Sequence, residues 1–359
     1  MPAAPASERP VEAARPAARV AVPRAGLLSG HWRSLGILLA VAVLVVVALA
    51  SVLLGTLSVN LSDVFGAVTG PPDTDVERAV RYIRIPRTVT GLLAGAALGI
   101  AGAVMQGLTR NPLAGPGLLG VNAGAALAVV LAMIGLGITT AAGYVWFALA
   151  GAAVAAVFVY TLGSLGLGGA TPVKLALAGA AFTALLGAFT TMITLQDAST
   201  MDDFRYWVVG SLTRADSDTL SAVAPFLAVG MVLAVGLTRS LNALALGDDL
   251  ARTLGTRLWI ARAVGALAVV LLAGGATAIA GPVGFIGLVV SHIARMITGP
   301  DYRWVLAWTA VLAPTLLLIA DILGRILVQP EQLQVGIITG LAGAPFFLYL
   351  VRNRKVIGT

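Results

Sequence analysis

The chain has 359 residues, of which 58% are hydrophobic and 11% charged, and its mean hydropathy is +0.96. Soluble domains carry roughly 25% charged residues, so this much apolar side chain needs lipid as part of its solvent, and a soluble enzyme is excluded. There is no cysteine, which removes disulfides, thiolate zinc sites, iron–sulfur clusters and a cysteine nucleophile, and the 2 histidines are too few for a histidine metal cage. The net charge of +7 is spread over short loops and one tail, a positive-inside bias that implies no nucleic-acid partner.

Residues 1–34 are rich in Ala, Pro and Arg without periodicity and are expected to form a disordered cytoplasmic tail. The first apolar run, Leu35 to Leu57, is too long for the hydrophobic part of a cleaved signal peptide. Further charge-free windows are Thr88 to Thr109, Leu175 to Gln196, Thr219 to Thr238, Trp304 to Ala320 and Gln332 to Val351. Asn111 to Val173 holds 63 residues without a charge, enough for two spans around a glycine-rich break near Gly135 to Gly143. Ala263 to Ser291 is also uncharged and is interrupted by Gly281-Pro282, so it is one long helix or two short ones.

Charge decides between these. Arg9, Arg15, Arg19, Arg24 and Arg33 precede the first span, and Arg352, Arg354 and Lys355 follow the last, so both ends are expected in the cytoplasm and the number of spans is even. Splitting the Ala263 region gives ten spans in a single domain, 35–352, followed by a cytoplasmic tail, 353–359. The inner segments then hold 16 Lys/Arg against 5 Asp/Glu, and the outer loops 7 against 11. One long span would put the basic C-terminus outside. Two crossings in so few residues require short helices shielded by protein.

The only lysines, Lys174 and Lys355, lie outside any G-x-x-x-x-G-K-[ST] pattern, so no phosphate-cradling ATPase loop is present. Every Asp and Glu is read as lying in a loop or at a span end, and only His292 approaches the membrane interior, as a helix-end histidine bonded to backbone. This disfavours an ion-coupled carrier, which needs a titrating group midway, and assigns the energy source to another polypeptide. Gly91, Gly95, Gly99, Ala103 and Gly107 recur every four residues and mark one face for close helix packing. Among them Gln106 either faces a pathway or hydrogen-bonds a neighbouring helix.

The hydrophilic segment 239–262 is expected to contain a short helix, with Asp248 and Asp249 capping its N-terminus and Gly255 stopping it. It is a solvated connector or a docking knob for a motor protein. On the outer side Arg78, Arg81, Arg84 and Arg87 recur every three residues, and Arg325 is placed in the last outer loop. These cations either snorkel and pair with Asp73, Asp75 and Glu77, or dock an acidic partner.

Three ordered stretches carry a resemblance: Arg84-Ile-Pro-Arg87-Thr, Ala101-Gly-Ala-Val-Met-Gln106, and Arg110-Asn-Pro-Leu-Ala-Gly-Pro-Gly-Leu-Leu-Gly-Val-Asn-Ala-Gly124. With Gly281-Pro-Val-Gly-Phe-Ile-Gly287, His292-Ile-Ala-Arg295, Ala320-Asp-Ile-Leu-Gly-Arg325 and Gly343-Ala-Pro-Phe-Phe-Leu-Tyr349, the chain from Leu35 to Arg352 resembles the FecCD-type permeases. These are membrane subunits of binding-protein-dependent ABC importers for iron-siderophores, haem and cobalamin.

The resemblance implies an all-α polytopic membrane protein with the ten-helix type II ABC importer permease fold, without enzymatic activity, cofactor or metal of its own. ATP and Mg would be used by two partner ATPase subunits. A second permease subunit, identical or related, and an extracytoplasmic binding protein would complete the assembly. Arg84, Arg87 and Arg325 would dock that binding protein, and Gly247, Asp248, Ala251, Leu254 and Gly255 would couple to the ATPase. The turn around Thr171-Pro172 would lie at the cytoplasmic gate, with Gln106, Asn111 and Asn122 along the pathway. Ser291 and Gln334 stand where the family commonly has Pro. Thr109-Arg-Asn-Pro-Leu-Ala and Gly120-Val-Asn-Ala-Gly look most like ferric enterobactin permeases, which points to a catecholate ferric-siderophore as substrate.

Overall fold

The computed structural model describes residues 26–352 apart from 29, 56, 166–170, 215 and 330. Most of the expected N-terminal tail and all of 353–359 lie outside the described residues. Among those described, the regular structure is helical.

Helix α1 spans His31–Leu53, starting four residues inside the region expected to be tail. A short helix, α2 (Leu61–Thr69), follows, opened by a reciprocal capping box between Asn60 and Asp63. The next span begins well before its charge-free window: α3 (Asp75–Ala79), a π turn at Val80–Arg84 and α4 (Ile85–Thr109) form one continuous helix. The long uncharged stretch does hold two helices, α5 (Val121–Leu136) and α6 (Ala141–Ser164), broken where the glycines predict it. Then come α7 (Pro172–Thr194), α8 (Ala198–Val208), α9 (Ser217–Gly236), α10 (Thr238–Ala245) and α11 (Asp248–Thr253).

The Ala263 region is split. Helices α12 (Leu258–Val269) and α13 (Gly275–Ala280) run together through a π turn, and α14 (Ile286–Thr298) follows the break at Gly281-Pro282. At about 1.5 Å per residue, α14 falls short of the roughly 30 Å hydrocarbon layer. It is shielded by α4, α15 and α16, as two close crossings require. Helices α15 (Tyr302–Leu327) and α16 (Val335–Arg352) complete the chain. Among the described residues, seven helices are long and apolar enough to cross a membrane, and α5, α14 and α16 are shorter apolar helices, which together are the ten segments that charge parity selects.

Helix α4 is the axis of the bundle. Its small-residue face lets α15 and α14 approach at backbone distance: a Cβ on Gly95 would collide with the backbone of Pro314, on Gly99 with Ala313 Cβ, and on Gly102 with the backbone of Gly287. The irregular segment after α13 is also satisfied from within the protein. Ser211 N donates to Ala280 O at 2.8 Å, and Gly281 takes φ +69° where a Cβ would strike Trp207 O.

Contacts define two ends. At one, Leu28 N donates to Ile297 O at 2.9 Å, and Asn242 joins the α10 end to Asp301 and Tyr302 at the start of α15. That end therefore gathers the start of α1, the C-terminus of α4, α10, α11 and the start of α12. The other end gathers the C-termini of α1 and α15.

Candidate functional site

The outer-end arginines are interior side chains. Arg84, Arg87 and Arg325 are 7%, 7% and 3% exposed, although sequence places them on a docking surface and Arg325 in a loop. Arg325 belongs to the last turns of α15, so that helix runs past the short window Trp304 to Ala320. The physical reason is charge compensation within the helix: Asp321 Oδ2 accepts from Arg325 Nη2 at 2.7 Å, one turn away. Asp321 also takes a bidentate pair from Arg87, Nε at 3.1 and 3.0 Å and Nη2 at 2.8 Å, while Arg87 Nη1 reaches Gln332 Oε1 at 2.7 Å. The reading that no acid lies within a span is thus corrected by Asp321, which is 1% exposed and paired on both sides.

The remaining guanidinium donors close the C-terminus of α1. Arg84 Nη1 donates to Val52 O and Leu53 O, each at 2.8 Å, and Nη2 to Leu57 O. Arg325 Nη1 donates to Ser51 O at 2.7 Å and Leu54 O at 2.9 Å, and Nη2 to Ser51 Oγ at 2.8 Å. Helix C-termini leave four carbonyls unpaired and carry partial negative charge, so two cations there satisfy both needs. Three arginines and one aspartate leave this buried cluster with positive charge in excess, although the loops around it are richer in acids than in bases. The even spacing of the four arginines is deceptive: at 3.6 residues per turn, steps of three drift by about 60° each. Arg78 and Arg81 stay exposed while Arg84 and Arg87 turn inward. Arg78 pairs with Asp75 at 3.1 Å, and Arg81 Nη1 donates to Gly70 O at 2.6 Å.

The opposite end carries α11. Gly247 takes φ +105° and Gly255 φ +82°, so a glycine at each turn bounds the six-residue helix. Asp248 and Asp249 lie in its first turn, where they complement the dipole, but the N-cap residue is Gly247 and neither carboxylate caps the helix. Instead Asp248 anchors it, accepting from Arg262 Nη2 at 2.7 Å and lying 3.3 Å from Arg110 Nη2. Ala251 is fully buried and holds the helix down, while Leu250 and Leu254 are 56% and 64% exposed. The result is a tethered knob that exposes Leu250 and Leu254 beside the Arg252–Asp249 pair.

The pathway residues are not gathered into one cluster. Gln106 is 1% exposed, donates to Leu288 O at 3.4 Å and accepts from Arg295 Nη2 at 3.1 Å, which is the neighbouring-helix alternative. Asn122 Oδ1 accepts from Thr277 at 3.1 Å, joining α5 to α13. Asn111 is exposed and receives Leu113 N at 2.9 Å in its own turn. Thr171 caps α7, accepting from Lys174 N at 3.4 Å, and Pro172 opens the helix. His292 Nε2 has no hydrogen-bond partner, against the expected backbone bond; the ring meets Phe346 edge-on with centroids 6.2 Å apart. Sequence reading missed Asp321, Ser51 and Gln332 as partners of the arginines, although the i, i+4 spacing of Asp321 and Arg325 was a usable signal.

No described group of His, Cys, Asp and Glu could hold a metal ion. The fold is that of a polytopic membrane permease whose two ends differ in chemistry, buried arginines at one and a tethered, exposed helical knob at the other. The FecCD transport family matches residues 43–353, and the chain belongs to that family. It is 44% identical over 311 residues to the ferric enterobactin transport system permease protein FepD of Escherichia coli (strain K12), covering 87% of this chain and 93% of that one. It is 40% identical over 309 residues to the iron(3+)-hydroxamate import system permease protein FhuB of Bacillus subtilis (strain 168), covering 86% and 80%. A solved metal-chelate type ABC transporter in an inward-facing conformation superposes with a TM-score of 0.78 at 25% identity, covering 89% of this chain and 99% of that one. The protein is an ABC importer permease subunit of the membrane, non-catalytic and without a cofactor of its own.

Proposed function

We propose that this chain imports a ferric-siderophore, with a catecholate of the enterobactin type favoured, and that haem and cobalamin are the alternatives within the same mechanism. Similarity over nearly the whole chain to a ferric enterobactin permease is the observation that carries the siderophore reading. In this reading the termini and the 239–262 segment face the cytoplasm, and the arginine-rich end faces outward. Two ATPase subunits serve the permease pair, one of them meeting the Gly247 to Gly255 segment of this chain at exposed Leu254, a second permease chain completes the pathway, and an extracytoplasmic binding protein docks above. Its acidic surface is drawn by the positive excess of the Arg84, Arg87 and Arg325 group. The chain itself moves passively; the contacts that shift its two states are made by its partners.

The test is ATP-dependent uptake of radiolabelled iron, supplied as ferric enterobactin, into proteoliposomes holding this chain, its ATPase and the binding protein outside. Uptake that vanishes when either partner is omitted is the expected result. Uptake of haem or cobalamin in place of ferric enterobactin would replace the substrate and keep the mechanism. Uptake without ATP would overturn both.

A further inference from the structure

A cavity of about 670 Å³ opens beside α11, and three arginines, Arg239, Arg257 and Arg303, line it without a single carboxylate. None of the three guanidinium groups has a hydrogen-bond or ion-pair partner among the described residues, and all three residues are exposed. The nearest acids are engaged elsewhere: Asp248 with Arg110 and Arg262, Asp249 with Arg252, and Asp301 as the N-cap of α15 and partner of Asn242. Uncompensated cations converging on a hollow define an anion site, and guanidinium forks suit phosphate oxygens.

The position of the cavity says where that phosphate comes from. Arg239 follows the end of α9 by three residues, Arg257 immediately precedes α12, and Arg303 is the second residue of α15. Helices α9 and α15 and the continuous α12–α13 run are each long and apolar enough to cross the membrane, so all three arginines lie at the depth where span ends meet headgroups. Trp259, 71% exposed, and Trp304 follow two of these arginines, as interfacial aromatics do. Exposed Leu246 and half-buried Ile260 add apolar wall to the same cavity, which suits a ligand with an acyl end. We infer that this cavity binds the headgroup of an anionic phospholipid, against which the base of α11 rests. Leu254 and Gly255 belong both to the cavity wall and to the end of α11, so the bound lipid props the segment that meets the ATPase.

Native mass spectrometry of the full chain in detergent, titrated with cardiolipin or with phosphatidylcholine, tests this without any transport readout, so its failure is separate from failure of the importer reading. Cardiolipin should be retained selectively, and the triple variant Arg239→Gln/Arg257→Gln/Arg303→Gln should weaken retention by on the order of 100-fold, given what each basic side chain contributes near anionic lipid. Arg78→Gln, at the other end of the molecule, should leave it unchanged. Equal retention of the two lipids by the unsubstituted chain overturns the proposal whether or not the variant folds. Displacement of cardiolipin by millimolar inorganic phosphate assigns the site to the free anion, and displacement by the ATPase assigns it to protein docking; either result overturns the lipid reading.

Discussion

Asp321 is the single acid that allows Arg87 and Arg325 to sit inside the bundle, and removing it leaves two desolvated cations facing each other. Breaking a buried pair from one side costs about 3–5 kcal/mol, so Asp321→Asn should lower the thermal unfolding temperature of the detergent-solubilised chain markedly. Adding Arg325→Met to that variant should recover part of the loss, and a double variant no more stable than the single one would remove the pair from the account. A docking role alone would let Arg84→Glu weaken partner association while sparing the fold. With its guanidinium bonded to three carbonyls of the α1 end, the reversal instead places a carboxylate against the negative pole of that helix. It should destabilise the protein as well as weaken association, and an unfolding curve superposable on that of the unsubstituted chain would contradict the internal placement.

Among elements, α4 is defined by what its glycines omit. Gly95→Leu must push α15 away at Pro314, and overpacking of this kind costs about 1–3 kcal/mol; reduced thermal stability with full-length expression is the expected result. The start of α9 offers a subtler test. Asp216 accepts from Thr219 N at 2.9 Å and from Thr219 Oγ1 at 2.6 Å, and these donors hold its carboxyl below the ordinary carboxylate range. A depressed native value means the cap contributes above the unfolded pKa, near 4, and is lost as pH falls through the native one. Asp216→Asn keeps an acceptor without a charge, so its stability relative to the unsubstituted chain should rise on acidification. Identical pH profiles for the two would show that the cap does not titrate. Because Asp216 is largely exposed, the difference should be small.

At the scale of the whole molecule, the two polar ends are joined only through the helix bundle, so anything that passes between the partners passes through packed helices. Gly255 takes φ +82° at the exit of α11, a conformation that any L side chain strains. Gly255→Trp should let the ATPase hydrolyse ATP while uptake falls at least tenfold, as measured in the same proteoliposomes; normal uptake would take this turn out of the coupling path. Asp248 locks α11 to Arg110 and Arg262, so a displacement of the knob is felt at the C-terminus of α4 and the start of α12.

Composition, charge-free windows and the even parity of basic ends were enough to place ten apolar helices, including the split at Gly281-Pro282, because lipid imposes its thickness and polarity on every segment that crosses it. The glycine face of α4 was equally legible, since helical period converts spacing directly into a face. What charge arithmetic could not see was compensation between segments far apart in sequence. Asp321 and Arg325 end a window on hydropathy alone, yet with Asp321 paired to Arg87, 234 residues away, α15 runs on for about two further turns. The same holds for Arg84, whose acceptors are the carbonyls of α1, and for Asp248, which looks like a cap and serves as a tether. Sequence determined which residues are apolar, charged or small; only the tertiary structure decided which charges meet, because pairing depends on distances that the order of residues does not contain.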